Sequence, residues 1–347
     1  MPKVWGVGLV GAGLIAQTHA QAVASLSNAR LVGVCSRRRE RAQQVAQRHG
    51  ARTYADVEEM LRDPAVEVIG VINASGAHLE PAVAAAEAGR HVLCEKPLEI
   101  THERIRTMIE AHRRAGTRLG GIFQNRYCPA VRELAAAVRA GRFGTVTFAA
   151  AWVPWWRSEE YYKGSWHGTW RLDGGGALMN QAIHTIDLLE WLAGPVEAVA
   201  AATATRGHAI EAEDTAAAVV QFANGAPGAV YGTTASWPGR QRRLEITGTE
   251  GTAVLEGEAL TVWQFRQERP EDELVRRRSA DMGGPGGAAD PGDIKWQGHA
   301  WNWAAFLDAV EMGSPYELEG AQASKAVEVV LAMYHSARRG GWVRVVR

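Results

Sequence analysis

Through the first 124 residues one pattern repeats: a short apolar run, a break, then a stretch with apolar residues spaced three or four positions apart. Runs at 4–10, 31–35, 66–73, 91–94 and 119–124 predict buried strands. Segments 16–26, 40–48, 81–88 and 101–114 predict helices, the last with Thr101 as its N-cap. Continuously apolar strands alternating with helices are the pattern of a doubly wound parallel sheet.

After Gln124 the alternation ends. Residues 130–140 predict a helix. Strand-like runs follow at 145–153, 196–205, 215–222, 229–236, 243–248, 252–256 and 260–264, several joined by turns such as Asn224-Gly225. They predict a large, mainly antiparallel open sheet. Residues 279–293, rich in Gly, Pro and Asp, read as a mobile loop. Helices at 300–312 and 321–338 and a terminal strand at 342–346 complete the chain.

With 347 residues, 46% hydrophobic and 22% charged, the chain suits two packed domains. Zero net charge and a pI near 7.2 give no electrostatic basis for nucleic acid or an anionic membrane as partner. No apolar stretch reaches the roughly 18–20 residues of a membrane helix, and the N-terminus has no signal-peptide layout. Cys35, Cys94 and Cys128, odd in number and widely spaced, fit a reducing cytoplasm better than a disulfide framework or a zinc site. No metal is expected.

The first apolar run ends in Gly11-Ala12-Gly13-Leu14-Ile15-Ala16. Gly11 permits a tight turn, Gly13 lets the backbone approach a pyrophosphate, and Ala16 allows close packing at a helix N-terminus that favours an anion. A dinucleotide is therefore expected here, against Gly11, Gly13, Leu14 and Ile15. The next strand ends in Cys35-Ser36-Arg37-Arg38-Arg39, with no carboxylate for ribose hydroxyls before Glu40. Ser36 with Arg37 or Arg38 suits a 2′-phosphate, which favours NADP over NAD.

Two features carry candidate chemistry. Glu95-Lys96-Pro97 closes the run at 91–94, and the carboxyl ends of strands in an open parallel sheet are where ligands bind. Gly174-Gly175-Gly176 leads into a segment in which Asn180, His184 and Asp187 stand at i, i+4 and i+7, which predicts one polar helix face. Upstream, Trp155, Arg157, Tyr162 and Trp166 interleave aromatic faces with donors suited to a pyranose. Arg157 and Lys163 suit a carboxylate or phosphate if the substrate carries one. The plain alternatives are a surface Glu-Lys pair, a satisfied core histidine and aromatic packing.

Taken together, the glycine loop, Glu95-Lys96-Pro97 and the glycine run leading to His184 and Asp187 resemble the Gfo/Idh/MocA family of pyridine-nucleotide sugar oxidoreductases, over nearly the whole chain. The resemblance implies a dinucleotide-binding Rossmann domain over residues 1–125. A substrate-binding and oligomerisation α/β domain over 126–347 would form a homodimer or homotetramer through its open sheet. It implies a small carbohydrate substrate, a catalytic role for Lys96, and His184 as acid/base. The family's common aspartate stands here as Asn180, which cannot take a proton. Asn180-Gln181 resembles the branch of nucleotide-sugar (uronate) 3-dehydrogenase-like proteins. Asp187 is expected to hold the imidazole tautomer, and Ser75, His78 and Glu95 to lie near the cofactor. Arg126 and Tyr127, after the last strand of the first half, are expected to line the substrate site or to serve as a hinge. Two alternatives stay open on the same scaffold: recycled, tightly held nucleotide serving glycoside cleavage or epimerisation, and a non-catalytic sugar sensor.

Overall fold

The computed structural model describes residues 3–280 and 295–347. In the first part, β1 (Trp5–Val10), β2 (Ala29–Cys35), β3 (Arg52–Tyr54), β4 (Val68–Val71), β5 (His91–Cys94) and β6 (Leu119–Gly121) form a parallel sheet ordered β3-β2-β1-β4-β5-β6. The chain reverses direction across the sheet between β1 and β4, the usual site of ligand binding in such folds. Both of those strands are buried along their whole length, which is why they read as unbroken apolar runs. Thr101 caps the helix His102–Ala115, its hydroxyl accepting from the Arg104 amide at 3.3 Å. β3 and the helix Val57–Arg62 were not foreseen. They are too short and too polar to show a period.

The later strands β7 (Val146–Pro154), β8 (Val196–Ala204), β9 (Thr215–Phe222), β10 (Pro227–Thr233), β11 (Arg243–Gly248), β12 (Gly251–Glu256), β13 (Ala259–Phe265) and β14 (Val343–Arg344) make a second sheet, ordered β13-β12-β11-β7-β10-β9-β8-β14. Its pairings are antiparallel except β7 with β10. The helices Ile183–Ala193 and Lys325–Arg339 cover one face. Gly232 belongs to that covered face, since a Cβ there would meet Ala182 at 3.1 Å. The helix Pro270–Ala280, also unforeseen, is fastened by Asp272, which accepts from Arg142 at 2.6 and 2.7 Å and from Trp263 Nε1 at 2.7 Å. Beyond Ala280 the loop read at 279–293 lies outside the described residues.

By packing, the chain divides into two units. One runs to Gln124 and takes in a later segment ending at Ser324; the other begins at Asn125 and resumes at Lys325. The division expected at 125/126 therefore needs one correction: the helix Trp296–Met312 belongs with the parallel sheet. The reason is steric. Gly70 in β4 leaves room for Trp303, 3.0 Å from where a Cβ would stand, and Gly120 in β6 does the same for Phe306 and Tyr316 at 2.8 and 2.7 Å. Trp303 and Phe306 are fully buried. The helix read at 321–338 is likewise two pieces, Gly320–Ala323 and Lys325–Arg339, broken where the chain leaves one unit for the other.

Candidate active site

In the first unit the glycine loop leaves β1 where the sequence places it. Gly11 has φ 126°, and a Cβ there would stand 2.7 Å from the Ile72 carbonyl, so no other residue fits without strain. At Gly13 a Cβ would meet nothing within 4 Å, so the backbone there is open to a close ligand. The helix Ala16–Ala24 begins with no side-chain cap and no acidic residue in its first turn. The Ala16 amide donates to the Gly13 carbonyl at 3.2 Å, and the next amides of the first turn favour an anion. Leu14 is exposed and Ile15 half-buried beside this turn. These residues fit a dinucleotide. Beyond β2, Ser36 is half-buried and Arg37 and Arg38 are exposed; the Ser36 hydroxyl accepts from the Arg38 amide at 3.3 Å.

Lys96 follows β5 and is half-buried. Its surroundings are built rather than incidental. The Lys96 amide donates to Glu95 Oε2 at 2.9 Å. Glu95 is itself buried, and its Oε1 lies 3.0 Å from His19 Nε2 and 3.5 Å from His299 Nε2. Burial alone would raise the Glu95 carboxyl, but hydrogen bonds from the two histidines hold it well below the usual range. The indole of Trp303 donates to His19 Nδ1 at 3.1 Å. An indole only donates, so Nδ1 is the acceptor and Nε2 carries the proton aimed at Glu95. His19, Glu95 and His299 bring ligand atoms within 4.8 Å of one another. A cation would need the very nitrogen that bears this proton, so the donor set holds a carboxylate and not a metal.

His78 is almost fully buried. One ring nitrogen lies 3.0 Å from the Pro97 carbonyl and 3.3 Å from that of Leu98, and the other 3.2 Å from that of Asn73. It ties the exit of β4 to the loop after Lys96. Ser75 is buried in the turn Ser75–Ala77.

In the second unit the glycine run opens onto a π-helical stretch, Ala177–Ala182, continued by the helix Ile183–Ala193. A run of glycines is needed there because a Cβ at Gly176 would stand 1.9 Å from the Glu213 carbonyl oxygen. Such a widened turn recurs at functional sites, and no period in the sequence marks it. Asn180 lies in the π-helical stretch and His184 in the helix that continues it, where Asp187 follows three residues later. Its two oxygens accept from Arg126 Nε at 2.8 Å and Nη2 at 2.6 Å, with both side chains buried. Asp187 thus anchors Arg126, and Arg126 is 2% exposed. Tyr127 lies half-buried under the Arg132 guanidinium, 4.6 Å from its ring centre.

Asn180 is held by a residue the sequence did not single out: its amide donates to Asp173 Oδ1 at 2.6 Å, and Asp173 Oδ2 accepts from the Gly168 amide. Gln181 continues the network. Its amide nitrogen donates to the Tyr161 hydroxyl at 3.0 Å, and its oxygen accepts from Arg157 Nη2 at 3.0 Å. Arg157 also donates to the Trp156 carbonyl at 2.7 Å and lies 5.0 Å from the Trp155 ring centre. Trp166, His167 and Tyr161 stack in succession at 4.1 and 4.3 Å. Tyr162 is buried and donates to Thr234 at 2.8 Å, its phenol pushed up to about 12 chiefly by burial. His184 is half-buried. The aromatic stretch therefore serves two ends: Tyr162 packs the unit, whereas Trp166, His167 and Tyr161 present a stack beside polar amides. Asp173 was missed because only the folded turn brings it to Asn180.

Glu213 fixes this turn from afar. It accepts from the Gly176 amide at 3.1 Å, the Leu178 amide at 2.8 Å and the Tyr334 hydroxyl at 2.9 Å. Burial outweighs those donors and pushes its carboxyl from 4.5 up to about 7. A folded-state pKa raised in this way contributes stability below pH 4.5 that is lost as pH rises through about 7. Relative to Glu213→Gln, wild type is expected to lose on the order of 3 kcal/mol of unfolding free energy between pH 5 and 8. Denaturant titrations at both pH values check this, and a pH-independent difference refutes it.

Comparison with known proteins identifies the family. Residues 5–122 match the oxidoreductase family with an NAD-binding Rossmann fold, and residues 131–254 match the GFO/IDH/MocA C-terminal domain. The chain is 31% identical over 258 residues to the 1,5-anhydro-D-fructose reductase of Ensifer adhaerens, covering 71% of this chain and 74% of that one. It is 29% identical over 285 residues to the levoglucosan dehydrogenase of Pseudarthrobacter phenanthrenivorans, covering 72% and 73%. Among solved structures it superposes with a TM-score of 0.89 and 32% identity on the WlbA dehydrogenase from Bordetella pertussis, in complex with NADH and UDP-GlcNAcA, covering 99% of this chain and all of that one. Among the described residues no helix is long and apolar enough to cross a membrane. The fingerprint loop, the supported lysine and the matches over both halves together place this chain in the Gfo/Idh/MocA family of oxidoreductases.

Proposed function

We propose that this enzyme reversibly oxidises a secondary alcohol of a sugar or sugar derivative. The observation that carries the reading is the placement of Lys96. It stands beyond the carboxyl end of β5, in the sheet whose β1 ends in the open Gly11–Gly13 turn, and a buried carboxylate fixes its main chain. The nicotinamide, when bound, supplies the hydride-accepting carbon. His184 takes the hydroxyl proton, because its ordinary pKa lies near neutrality. Lys96 donates to the oxygen as alkoxide charge develops. Asn180, tied to Asp173, orients substrate hydroxyls and takes no proton.

A nucleotide-sugar uronate is the leading substrate candidate. The relative that holds UDP-GlcNAcA supports it, as does exposed Lys163 as a positive group for a carboxylate or phosphate; Arg157, by contrast, is buried and bonded to Gln181 and the Trp156 carbonyl. Ser36, Arg37 and Arg38 support NADP over NAD, since no carboxylate stands at the end of β2. One experiment tests all of this: UDP-GlcNAcA, levoglucosan, myo-inositol and 1,5-anhydro-D-fructose are each assayed with NAD and NADP by nicotinamide absorbance. Turnover is expected to be fastest with UDP-GlcNAcA, and NADP is expected to bind more tightly than NAD. Tighter NAD binding overturns the cofactor choice. Turnover without net absorbance change, on retained nucleotide, would shift the reading to cofactor recycling. Saturable sugar binding without turnover would make the protein a sensor.

The uncovered face of the second sheet supports self-association. Trp152 in β7 and Val219 in β9 are 38% and 49% exposed, and Tyr231 in β10 pairs with both Trp152 and Ala217. A homodimer or homotetramer is expected through this face. Val219→Lys should lower the mass seen by light scattering to that of the monomer; an unchanged mass places the interface elsewhere.

A further inference from the structure

The first unit contains a chain of side chains that the proposed chemistry does not use. Trp303 Nε1 donates to His19 Nδ1, His19 Nε2 donates to Glu95 Oε1, and Glu95 Oε2 accepts the Lys96 amide, at 3.1, 3.0 and 2.9 Å. His299 Nε2 approaches the same Oε1 at 3.5 Å. His19, His299 and Trp303 are all at most 1% exposed, so none of them meets a substrate directly. A glutamate carboxylate otherwise turns freely about its last torsion. Here two imidazoles claim one oxygen, which leaves the other facing the Lys96 amide.

Resting on the reading of Lys96 as catalytic, we propose that Trp303, His19 and His299 are positioning residues for Lys96, acting through the Glu95 carboxylate. Three elements meet in this clamp. His19 lies on the helix Ala16–Ala24, whose N-terminus is the expected pyrophosphate seat. His299 and Trp303 lie on Trp296–Met312, one turn apart. Glu95 and Lys96 leave β5. The lysine is thereby tied to the same rigid helix that would hold the nucleotide. On the far side of the loop, a His78 ring nitrogen lies 3.0 Å from the Pro97 carbonyl, which with that nitrogen protonated fixes the main chain on both flanks of Lys96. A positioning error of an ångström costs up to roughly 100-fold in rate, which is why such support matters.

The test uses the intact chain and its five lysines. Reductive methylation with carbon-13 formaldehyde labels each lysine, and the Lys96 signal is assigned by its absence in Lys96→Ala. His19→Leu removes the donor to Glu95. Trp303→Phe keeps a ring and removes only the indole donor, so it serves if His19→Leu fails to fold. His19→Gln restores a donor at the position of Nε2. Both disabling variants are expected to move the Lys96 signal while the other four stay, and to lower kcat by roughly 10-fold or more with NADH affinity within about twofold. His19→Gln should bring both back towards wild type. In a Lys96→Ala background His19→Leu should cost little more, because residues acting as one unit are not additive. A Lys96 signal unmoved in both His19→Leu and Trp303→Phe overturns the clamp. Full turnover in Lys96→Ala instead overturns the catalytic reading of the lysine, whatever the signal shows.

Discussion

Replacing His184 with Ala is expected to lower kcat by roughly 10²–10⁴, the usual worth of a positioned acid/base, while NADH affinity stays within about twofold. Lys96→Ala should cost roughly 10²–10³, the usual loss when one donor to a developing oxyanion is removed. The two losses have different origins. In the proposed mechanism His184 moves a proton, so its loss falls on the step itself. Lys96 is proposed to contribute charge and orientation, so Lys96→Arg should recover part of what Lys96→Ala loses. Steady-state kinetics on the best substrate of the panel, with NADH binding measured separately, checks both. Near-wild-type turnover in His184→Ala removes the acid/base assignment. Asn180 cannot substitute, because an amide takes no proton.

Asp187→Ala is expected to destabilise the second unit by about 3–5 kcal/mol. Arg126 and Asp187 are 2% and 1% exposed, and two charge-assisted bonds join them. Removing the carboxylate leaves a buried guanidinium unpaid for by that partner, which is the costly half of a buried ion pair. The double variant Arg126→Met with Asp187→Leu should recover most of the loss, because apolar groups of similar volume replace a buried pair at little cost. Denaturant unfolding of the three proteins measures this. A single-variant loss below about 1 kcal/mol, the range of exposed pairs, would mean that the pair is hydrated.

The strands of the parallel sheet are legible because burial on both faces leaves a mark in every residue. His91–Cys94 is read to the residue for that reason, and Thr215–Phe222 as an apolar run closed by the Asn224-Gly225 turn. Thr101 is legible because a cap is a local hydrogen bond. Less is legible where an element is fixed by what it packs against. The helix Trp296–Met312 shows an apolar face but not its destination. Gly70 and Gly120, which admit its rings, look like unremarkable strand glycines. The π-helical turn at Ala177–Ala182 was read as an ordinary helix because a widened turn changes no residue's polarity.

The same division runs through the site. Gly11, Gly13, Lys96 and His184 are visible from sequence because their chemistry is unusual for their local setting: glycines after a strand, a lysine at a strand end, and a polar residue in an apolar helix. What each partner does was decided by the tertiary structure alone. Glu95, expected near the cofactor, is buried and held by His19 and His299. Asp187, expected to orient His184, is bound bidentately by Arg126. Asn180 looked like the remnant of a carboxylate site, and Asp173 stands beside it. Sequence by itself determined the fold class, the nucleotide loop and the candidate reactive side chains, because periodicity and residue chemistry are properties of short segments. Hydrogen-bond partners lie up to 280 or so positions apart here, as with Trp303 and His19, so only folding could choose among the many donors and acceptors able to meet.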